Sequence, residues 1–429
     1  MQHARRANPA GCLHDLFPFV NTTFTTADAG GGNSMAVYNV NDGDAPFLKQ
    51  LADEFTLSDN FHQAFMGGTG ANHVMLGTAD AIYWGDGKGN ATAPPAAVPL
   101  ANPNPRPGTN NVYAVDGNWS NCSDPLQPGV GPIVAYLRSL PYDARPNCAQ
   151  GHVYMLNNTS PGFLPNGQLN PSVNAVPPSG LRTIGDALLE KNVSWAYYGG
   201  AFNAAVNLAN GSKNPLDGVG LAYCQICNPF QYVSSIMGNA AVRAAHIKDV
   251  VDLFSAIQGD TLPAVSFVKP DGLLDGHPAT LKVDLLEAMV KDILDRVQGK
   301  PALEAETAVF IVFDEGGGYW DSGFVQPVDF FGDGTRIPFI VVSPYSKGGR
   351  VVHTYYDHVS IAKFIERNWR LKPLTDRSRD NLPNPIARED DPYVPRNMPA
   401  IGDLMEMFRF DADEDRAEGD RDRDDRDRR

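Results

Sequence analysis

The run TAVFIVFDEGGGYWD at residues 307–321 constrains the fold more than any other segment of this chain. Its first seven residues read as a buried strand, which ends in two adjacent acids, Asp314 and Glu315, followed by three glycines. Enzymes with parallel α/β sheets present ligands for hard metals at this edge of the sheet. Burying two carboxylates without a counter-charge is costly, so the run predicts a divalent cation and a phosphate that binds it. The structural alternative is a pair of acids that caps the turn after the strand.

Length, composition and charge exclude several classes of protein. A chain of 429 residues with 42% hydrophobic residues can bury a large core. Its formal net charge of −15 argues against a nucleic-acid partner, because phosphate backbones are bound by basic surfaces. The apolar runs are far shorter than the ~20 residues of a membrane span, so we predict no transmembrane segment. The amino end has basic residues but no apolar stretch behind them, so we predict no secretory signal peptide in this sequence.

The five cysteines match neither a full disulfide framework nor a zinc ribbon, because their number is odd and their spacing is irregular. Cys224 and Cys227 are close enough in sequence to form a local disulfide or half of a metal site. No second CxxC pair and no nearby histidine completes a tetrahedral set. We therefore favour a structural disulfide, or plain thiols, over a metal site.

Hydrophobic periodicity predicts strands that alternate with amphipathic helices along most of the chain. Such alternation implies an α/β fold with a mainly parallel sheet and helices on both faces. The predicted strands cover residues 193–198, 264–268, 308–313 and 338–343. The predicted helices cover residues 46–54, 183–191, 281–297 and 359–369.

Composition divides the chain into three parts. Residues 1–44 are rich in Gly, Asn and Thr and predict an irregular lead-in, whereas residues 45–410 predict one large domain. Within that domain, residues 84–178 are dense in Asn, Pro and Gly, and they predict an ordered, loop-rich insertion or cap over the site. Residues 411–429 are almost entirely Asp, Glu and Arg, and such a tail is expected to be disordered.

The segment GGTGANH at residues 67–73 places a hydroxyl, that of Thr69, just before a predicted helix. The amides at a helix N-terminus can hold an anion and stabilise a developing alkoxide. Thr69 is therefore a candidate nucleophile, and its structural alternative is a helix N-cap. Asn72 could donate a hydrogen bond to a phosphoryl oxygen or could brace the turn.

Three further histidines lie where site residues are expected. His277 follows a predicted strand, at the edge of the sheet where a ligand or a general acid belongs. His353 and His358 flank the start of the last predicted helix. Asp357 lies between them, and a carboxylate of this kind orients metal-bound or catalytic imidazoles.

Taken together, these segments resemble the bacterial phosphoesterase family that contains phospholipase C enzymes and the acid phosphatase A type, within the alkaline phosphatase superfamily. The resemblance covers most of residues 35–410 with its motifs in consistent order. The matching segments are residues 51–73, 275–278, 313–321 and 338–366.

The resemblance implies a three-layer α/β/α sandwich of the alkaline phosphatase type and a phosphoric ester hydrolase. Thr69 would attack phosphorus and form a covalent phospho-enzyme. Asn72 and His73 complete the same motif and would bind substrate. A phospholipid and a small phosphomonoester both remain open as substrates. A sulfatase of the same superfamily ranks lower, because no cysteine here has the sequence context that sulfatases require.

The resemblance also implies a metal site and the residues around it. Asp314 and Glu315 match the acidic pair that binds a divalent metal, whose identity is open among Mg, Ca, Mn and Zn. His277 would contact phosphate or the leaving group, and His353 and His358 match the family's downstream histidines. Membership would place the protein in the periplasm or outside the cell.

One departure from the family's pattern concerns the amino-terminal part. Family members carry a Glu-Asn pair after their first strand, and no such pair precedes Leu51 here. We therefore expect the first sheet strand and two metal contacts of the family to be missing from this sequence. The alternative to an active hydrolase is then a truncated, non-catalytic remnant that only binds phosphate-containing ligands.

Overall fold

Helices and short strands alternate along the computed structural model, which describes residues 40–95, 119–127, 129–277, 283–316, 321 and 323–410. The α-helices are α1 (Pro46–Glu54), α2 (Thr69–Thr78), α3 (Val130–Ser139), α4 (Ile184–Glu190), α5 (Phe202–Ala209), α6 (Ser234–Met237), α7 (Ala240–His246), α8 (Val250–Gln258), α9 (Val283–Gln298), α10 (Pro301–Glu304) and α11 (Val359–Trp369). The strands are β1 (Thr56–Ser58), β2 (Phe61–His62), β3 (Trp119–Ser120), β4 (Tyr154–Met155), β5 (Trp195–Gly199), β6 (Ile247–Asp249), β7 (Val265–Lys269), β8 (Val309–Val312), β9 (Phe339–Val342), β10 (Val351–Val352) and β11 (Tyr356–Asp357).

The strands that surround the predicted site belong to two separate sheets of the described structure. One sheet has three strands in the order β6-β5-β7, and both of its pairings are parallel, as the alternation of strands and helices predicts. The other has four strands in the order β10-β1-β9-β8. The α/β class is therefore confirmed, with several small sheets.

β9 is an exception to the predicted parallel pairing, because it runs antiparallel to both of its neighbours, β1 and β8. A parallel return needs a crossover connection, usually a helix that carries the chain back along the sheet. The described part of the connection between β8 and β9 contains no helix, so β9 returns in the opposite direction.

Helix α9 connects the two sheets through the core. Its Leu294 packs with Leu48 and Leu51 of α1 against the four-stranded sheet, while its Met289 and Val297 join the cluster beside the three-stranded sheet. The predicted bounds of α1 and α11 match the observed ones.

Helix α1 also depends on α9 for its capping. α1 begins with Pro46, which has no N–H, and Ala45 before it offers no side-chain cap. The buried carboxylate of Glu287 in α9 accepts the N–H of Leu48 at 2.8 Å instead. The start of α1 is therefore stabilised from a residue that lies far along the chain.

Two disulfides are present. Cys224 and Cys227 form the local bond that was one of the two interpretations of their spacing, and a second bond joins Cys122 to Cys148. The second pair was not predicted, because its separation of 26 residues has no sequence signature of its own. It closes a loop inside the predicted insertion, while Cys12 lies outside the described residues.

Parts of the predicted domain organisation also lie outside the described residues. They include residues 1–39 of the lead-in, residues 96–118 of the insertion and the charged tail at residues 411–429. The described part of the insertion contains α3 and two short strands, β3 and β4. No helix in the described part of the chain is long and apolar enough to cross a membrane.

Candidate active site

The turn before α2 holds the backbone of the GGTGANH segment against its neighbours. A Cβ atom on Gly67 would lie 2.2 Å from the carbonyl oxygen of Leu156, and one on Gly68 would lie 2.4 Å from Oδ1 of Asn157. Since the atom near Gly67 belongs to the backbone, only glycine fits there, whereas a side chain at Gly68 would displace the Asn157 amide. Thr69 follows as the first residue of α2, with Gly68 at the N-cap position.

Asn72 braces this turn from inside the helix. Its side chain is buried, and its Oδ1 accepts the N–H of Phe65 at 2.9 Å. Its Nδ2 lies within hydrogen-bonding distance of the carbonyl oxygens of Gly67 and Gly68. Of the two roles that the sequence left open, the structure shows bracing, and contact with a phosphoryl oxygen stays a prediction.

The hydroxyl of Thr69 meets the acidic end of β8. Its Oγ1 donates a hydrogen bond of 3.0 Å to Oε1 of Glu315, a residue 246 positions later in the chain. Burial, together with the charge of Asp314, raises the pKa of Glu315 to about 7, although the hydrogen bond from Thr69 acts in the opposite direction. The fold thus brings the candidate nucleophile and the candidate metal ligand into contact.

Gln63 fixes the glycine turn that follows Glu315. Its Oε1 accepts the N–H of Gly316 at 2.8 Å and the hydroxyl of Thr335 at 3.3 Å. A Cβ on Gly316 would lie 2.3 Å from the Thr335 oxygen, so the turn requires glycine here. Sequence reasoning missed Gln63, because a lone glutamine carries no signal of its partner.

His73 lies between the start of α2 and Asp314. Its Nδ1 is 2.9 Å from the carbonyl oxygen of Thr69 and 3.9 Å from Oδ2 of Asp314. A carbonyl oxygen only accepts, so Nδ1 carries the hydrogen, and in the neutral ring Nε2 keeps its lone pair. Burial lowers the pKa of His73, while the charge of Asp314 opposes that shift.

His358 joins the two halves of the site through its neutral ring. Its Nδ1 accepts the N–H of Ala64 at 3.2 Å, and its Nε2 donates to the carbonyl oxygen of Phe313 at 2.9 Å. Burial lowers its pKa to about 4, so the ring stays neutral at pH 7. His358 therefore positions the residue before Asp314 against the segment that leads to Thr69.

Family membership can now be compared with this geometry. The profile of the phosphoesterase family matches residues 12–372, which is most of the chain. This chain belongs to the phosphoesterase family. The match confirms the resemblance, and all the segments that carried it lie within those residues.

Curated relatives of this chain include phospholipases and a phosphatase. Phospholipase C B of Mycobacterium tuberculosis (strain CDC 1551 / Oshkosh) is 26% identical over 268 residues, covering 57% of this chain and 46% of that protein. Non-hemolytic phospholipase C of Burkholderia pseudomallei (strain K96243) is 28% identical over 188 residues, covering 37% of this chain and 25% of that protein. A probable acid phosphatase of Kluyveromyces lactis is 27% identical over 201 residues, covering 46% of this chain and 44% of that protein. The chain thus spans less than half the length of each.

The loop that carries His277 follows β7. Asp275 in this loop accepts the N–H of His277 at 3.0 Å and forms an ion pair with Lys269 at 2.7 Å. The charges of Lys269 and Asp275 both act on the pKa of His73. The His277 side chain itself is exposed, and its catalytic role stays a prediction.

His353 belongs to a neighbouring polar cluster. Its Nδ1 lies 2.8 Å from Oδ1 of Asp59, and the Tyr393 hydroxyl donates to the other oxygen of that carboxylate at 2.8 Å. Asp59, rather than Asp357, is thus the carboxylate that orients a histidine here. No hydrogen bond or ion pair between described residues joins His353 to the Thr69–Glu315 pair, and its catalytic role stays a prediction.

Arg336 connects that cluster to the end of the acidic motif. It donates to the carbonyl oxygen of Asp59 at 3.1 Å and pairs with Asp321 at 2.7 Å. Sequence reasoning missed Asp59 and Arg336, although Asp59 lies inside the first matching segment. His62 is fully buried, and its ring nitrogens lie within hydrogen-bonding distance of the Gly334 carbonyl oxygen and of Oδ1 of Asn60.

The donor set at the end of β8 suits a hard cation in type but is small in number. Asp314 and Glu315 offer two adjacent carboxylates, and Asp314 keeps 32% of its side chain exposed. Among the described residues, no group of three or more His, Cys, Asp or Glu side chains is arranged to hold a metal. A cation here would therefore take two carboxylates from the described structure and would need oxygen ligands from elsewhere, such as a phosphate.

Proposed function

We propose that this chain is a hydrolase of phosphoric esters that works through a covalent phosphothreonine at Thr69. Three findings support the proposal: family membership, the position of Thr69 at the start of a helix, and its neighbours. The observation that carries it is the 3.0 Å hydrogen bond from the Thr69 hydroxyl to Glu315. A serine or threonine is a weak nucleophile, and a carboxylate within hydrogen-bonding reach both aims its oxygen and can take its proton.

In the proposed reaction, the Thr69 hydroxyl gives its proton to Glu315 while Oγ1 forms a bond to phosphorus. The bond from phosphorus to the ester oxygen breaks, and that oxygen takes up a proton from water and leaves as an alcohol. Water then cleaves the phosphothreonine and releases phosphate. His73 is a second proton acceptor in this proposal. Its Nδ1–H is held by the carbonyl oxygen of Thr69, so the lone pair of Nε2 is available. His277 would contact the leaving group, and His353 would act at the edge of the site.

We also propose a divalent metal at Asp314 and Glu315. When bound, such an ion neutralises charge on the phosphoryl group that is being transferred. The adjacent carboxylates support this site, because burial and their mutual repulsion raise the pKa of Glu315 in its absence. We also propose that the fold is a three-layer α/β/α sandwich of the alkaline phosphatase type.

We propose that the substrates are phosphate esters. The two candidate kinds are phospholipids and small phosphomonoesters. Curated relatives bear names of both kinds, phospholipase C and acid phosphatase. We propose a periplasmic or secreted location. Two disulfides support it, since such bonds persist in oxidising compartments.

The experiment compares Thr69→Ala and Thr69→Ser with the unaltered protein, using p-nitrophenyl phosphate and a phosphatidylcholine in separate assays with added Mg²⁺, Ca²⁺, Mn²⁺ or Zn²⁺. We expect Thr69→Ala to lose at least a thousandfold in kcat/KM, because the attacking oxygen is gone. Thr69→Ser should keep measurable turnover, because it keeps the hydroxyl. Mass spectrometry of acid-quenched protein should find a phosphate on Thr69.

Two results would contradict the proposal. Turnover that survives in Thr69→Ala would remove Thr69 as the nucleophile. Phosphate binding without any turnover, under every metal tried, would favour a non-catalytic protein that only binds phosphate-containing ligands.

A further inference from the structure

The first turn of α2 has few amides left for a ligand. The N–H of Ala71 and that of Asn72 both donate to the carbonyl oxygen of Gly68, at 3.1 and 3.3 Å. The N–H of Gly70 donates to Oδ1 of Asn158 at 2.7 Å. The helix N-terminus therefore cannot supply these three donors to a phosphate, although helix starts commonly bind anions in this way.

Asn158 takes one of those donors and has donors of its own. An N–H group can bond only to an acceptor, so the bond from Gly70 fixes which end of the amide is oxygen and which is nitrogen. The Nδ2 group of Asn158 donates to no acceptor among the described residues. The Asn158 side chain thus occupies the backbone N–H of Gly70, and in its place it offers its own Nδ2 group as a donor.

The position of that nitrogen follows from the space around Gly68. A Cβ built on Gly68 would lie 2.9 Å from Oδ1 and 3.0 Å from Nδ2 of Asn158, so the whole amide lies against the residue that precedes Thr69. The side chain is half-buried, so part of it is accessible to a ligand. Its backbone is held as well, because the N–H of Asn158 donates to Oδ1 of Asn157 at 2.8 Å.

The charge balance at the site requires such a donor. A phosphate ester beside Asp314 and Glu315 meets two carboxylates, and the nearby cation of Lys269 is already paired with Asp275 at 2.7 Å. An uncharged donor that faces the phosphoryl oxygens stabilises the negative charge that they carry and gain. Asn158 has this chemistry and lies next to the attacking residue.

We propose that Asn158 binds the phosphoryl group through Nδ2 while its Oδ1 holds the N–H of Gly70. This inference rests on the proposed function of Thr69 and adds a substrate-contacting residue that lies 88 positions from Gly70. It also gives part of the predicted insertion, residues 84–178, a direct role at the site.

Substitution by aspartate separates the two roles of Asn158. Asn158→Asp keeps an oxygen for the Gly70 N–H and adds a negative charge near a helix N-terminus, a favourable effect that offsets the repulsion from Asp314 and Glu315 in the free protein. The same change removes the donor and repels phosphate. Asn158→Ala removes both the acceptor and the donor.

The matched control is Asn239→Asp. Asn239 is the N-cap of α7, and its Oδ1 accepts the N–H groups of Ala241 and Val242, so the same chemical change occurs at a helix start outside the site. We expect this variant to keep turnover and phosphate binding within twofold of the unaltered protein.

The measurements are kcat/KM for p-nitrophenyl phosphate, the dissociation constant of inorganic phosphate by calorimetry, and Tm. We expect Asn158→Asp to keep or raise Tm, yet to lose about a hundredfold in kcat/KM and at least tenfold in phosphate affinity. Asn158→Ala should lose about tenfold in kcat/KM and should lower Tm. The opposite direction of Tm and activity in Asn158→Asp is a result that bracing alone does not produce.

Two outcomes would overturn the inference, and they are distinguishable from failure of the proposed function. If Asn158→Asp binds phosphate and turns over as Asn239→Asp does, the side chain only braces Gly70. If the unaltered protein binds no phosphate, the inference fails with it. Should turnover be absent or independent of Thr69 while phosphate still binds, the proposed function fails and the calorimetric comparison alone decides the role of Asn158.

Discussion

Two groups of carboxylates in this molecule differ in how their negative charge is compensated. Around Arg379, the acids Asp329, Asp333 and Asp357 are fully enclosed, and the guanidinium pairs with each of them, at 3.1 Å for Asp333 and 3.9 Å for Asp357. At the end of β8, Asp314 and Glu315 are adjacent, and their described neighbours are a hydroxyl and a mostly neutral imidazole.

The difference separates structural acids from ligand-binding acids. The Arg379 cluster contains one cation for three carboxylates. The acids raise the pKa of Arg379 against the effect of burial, while burial raises the pKa of Asp333 and Asp357 despite the guanidinium. Among the described residues, no lysine or arginine forms an ion pair with Asp314 or Glu315, and Asp314 keeps part of its surface open. Acids that the protein itself leaves uncompensated are the ones expected to bind something else.

The largest predicted effect is on stability and concerns Arg379→Met. Removing the guanidinium leaves buried carboxylates without a partner, which costs about 3–5 kcal/mol in the free energy of unfolding. Urea unfolding at pH 8, followed by circular dichroism, measures this. The control is Arg367→Met. Arg367 is 56% exposed where it pairs with Asp403, so the cost should stay below about 1 kcal/mol. Equal costs in the two variants would refute the structural role of the cluster.

Glu366 is a buried acid that keeps its proton in the folded state, so we predict that the stability of the protein depends on pH. Burial and its contact with Asp380 raise its pKa to about 10 from a model-peptide value of 4.5. The folded state then keeps a proton that the unfolded state loses, so this contribution is complete below pH 4.5 and is lost as pH rises towards 10. We expect stability to fall steadily between pH 5 and 9, because over this range the unfolded state alone loses the proton.

Glu366→Gln tests this dependence, because an amide stays neutral at every pH. The slope of the urea midpoint between pH 5 and 9 should be flatter in the variant than in the unaltered protein. Parallel slopes would show that Glu366 is not the group that titrates.

At the site, Glu315→Gln should separate stability from activity. The change removes a buried charge next to Asp314, so the metal-free protein should gain about 1 kcal/mol at pH 8. Turnover of p-nitrophenyl phosphate should fall at least a hundredfold, because Thr69 loses its carboxylate partner. Glu306→Gln, an exposed substitution, serves as the control. A destabilised Glu315→Gln protein would mean that these acids are structural after all.

The smallest effect on stability is predicted for Asp59→Asn, which tests whether the His353 cluster belongs to the site. His353 keeps 40% of its side chain exposed, so the pair should contribute less than about 1 kcal/mol to stability. We expect kcat/KM to fall about tenfold, because His353 loses the carboxylate that orients it. If kcat/KM matches that of Asp143→Asn, a change in an exposed surface pair, His353 lies outside the reaction.

Local patterns in the sequence predicted α1, α4, α9 and α11 well, because their signals lie within each segment. Pro46 marks the start of α1, and Thr183 caps α4 with the capping box that its spacing to Asp186 allows. The antiparallel β9 could not be predicted in this way, since strand direction depends on a connection whose path the local pattern does not encode.

The candidate site shows the same limit. Residue types identified Thr69 and Glu315 separately, but only the fold shows that they touch. Asn158 and Arg379 were overlooked, because one lies in an asparagine-rich stretch and the other in a charged surface-like segment. Asn158 bonds to Gly70, 88 residues away, and Arg379 bonds to Asp333, 46 residues away, and a single sequence contains no record of such contacts.

The contact between Thr69 and Glu315 also bears on how the chain acquires activity. Its 246-residue separation means that neither half of the chain holds both groups. Contacts between distant residues form late in folding, after the entropy of closing a long loop has been overcome. Regain of turnover during refolding should therefore lag behind regain of helical signal, and it would report the completion of the native state rather than its beginning.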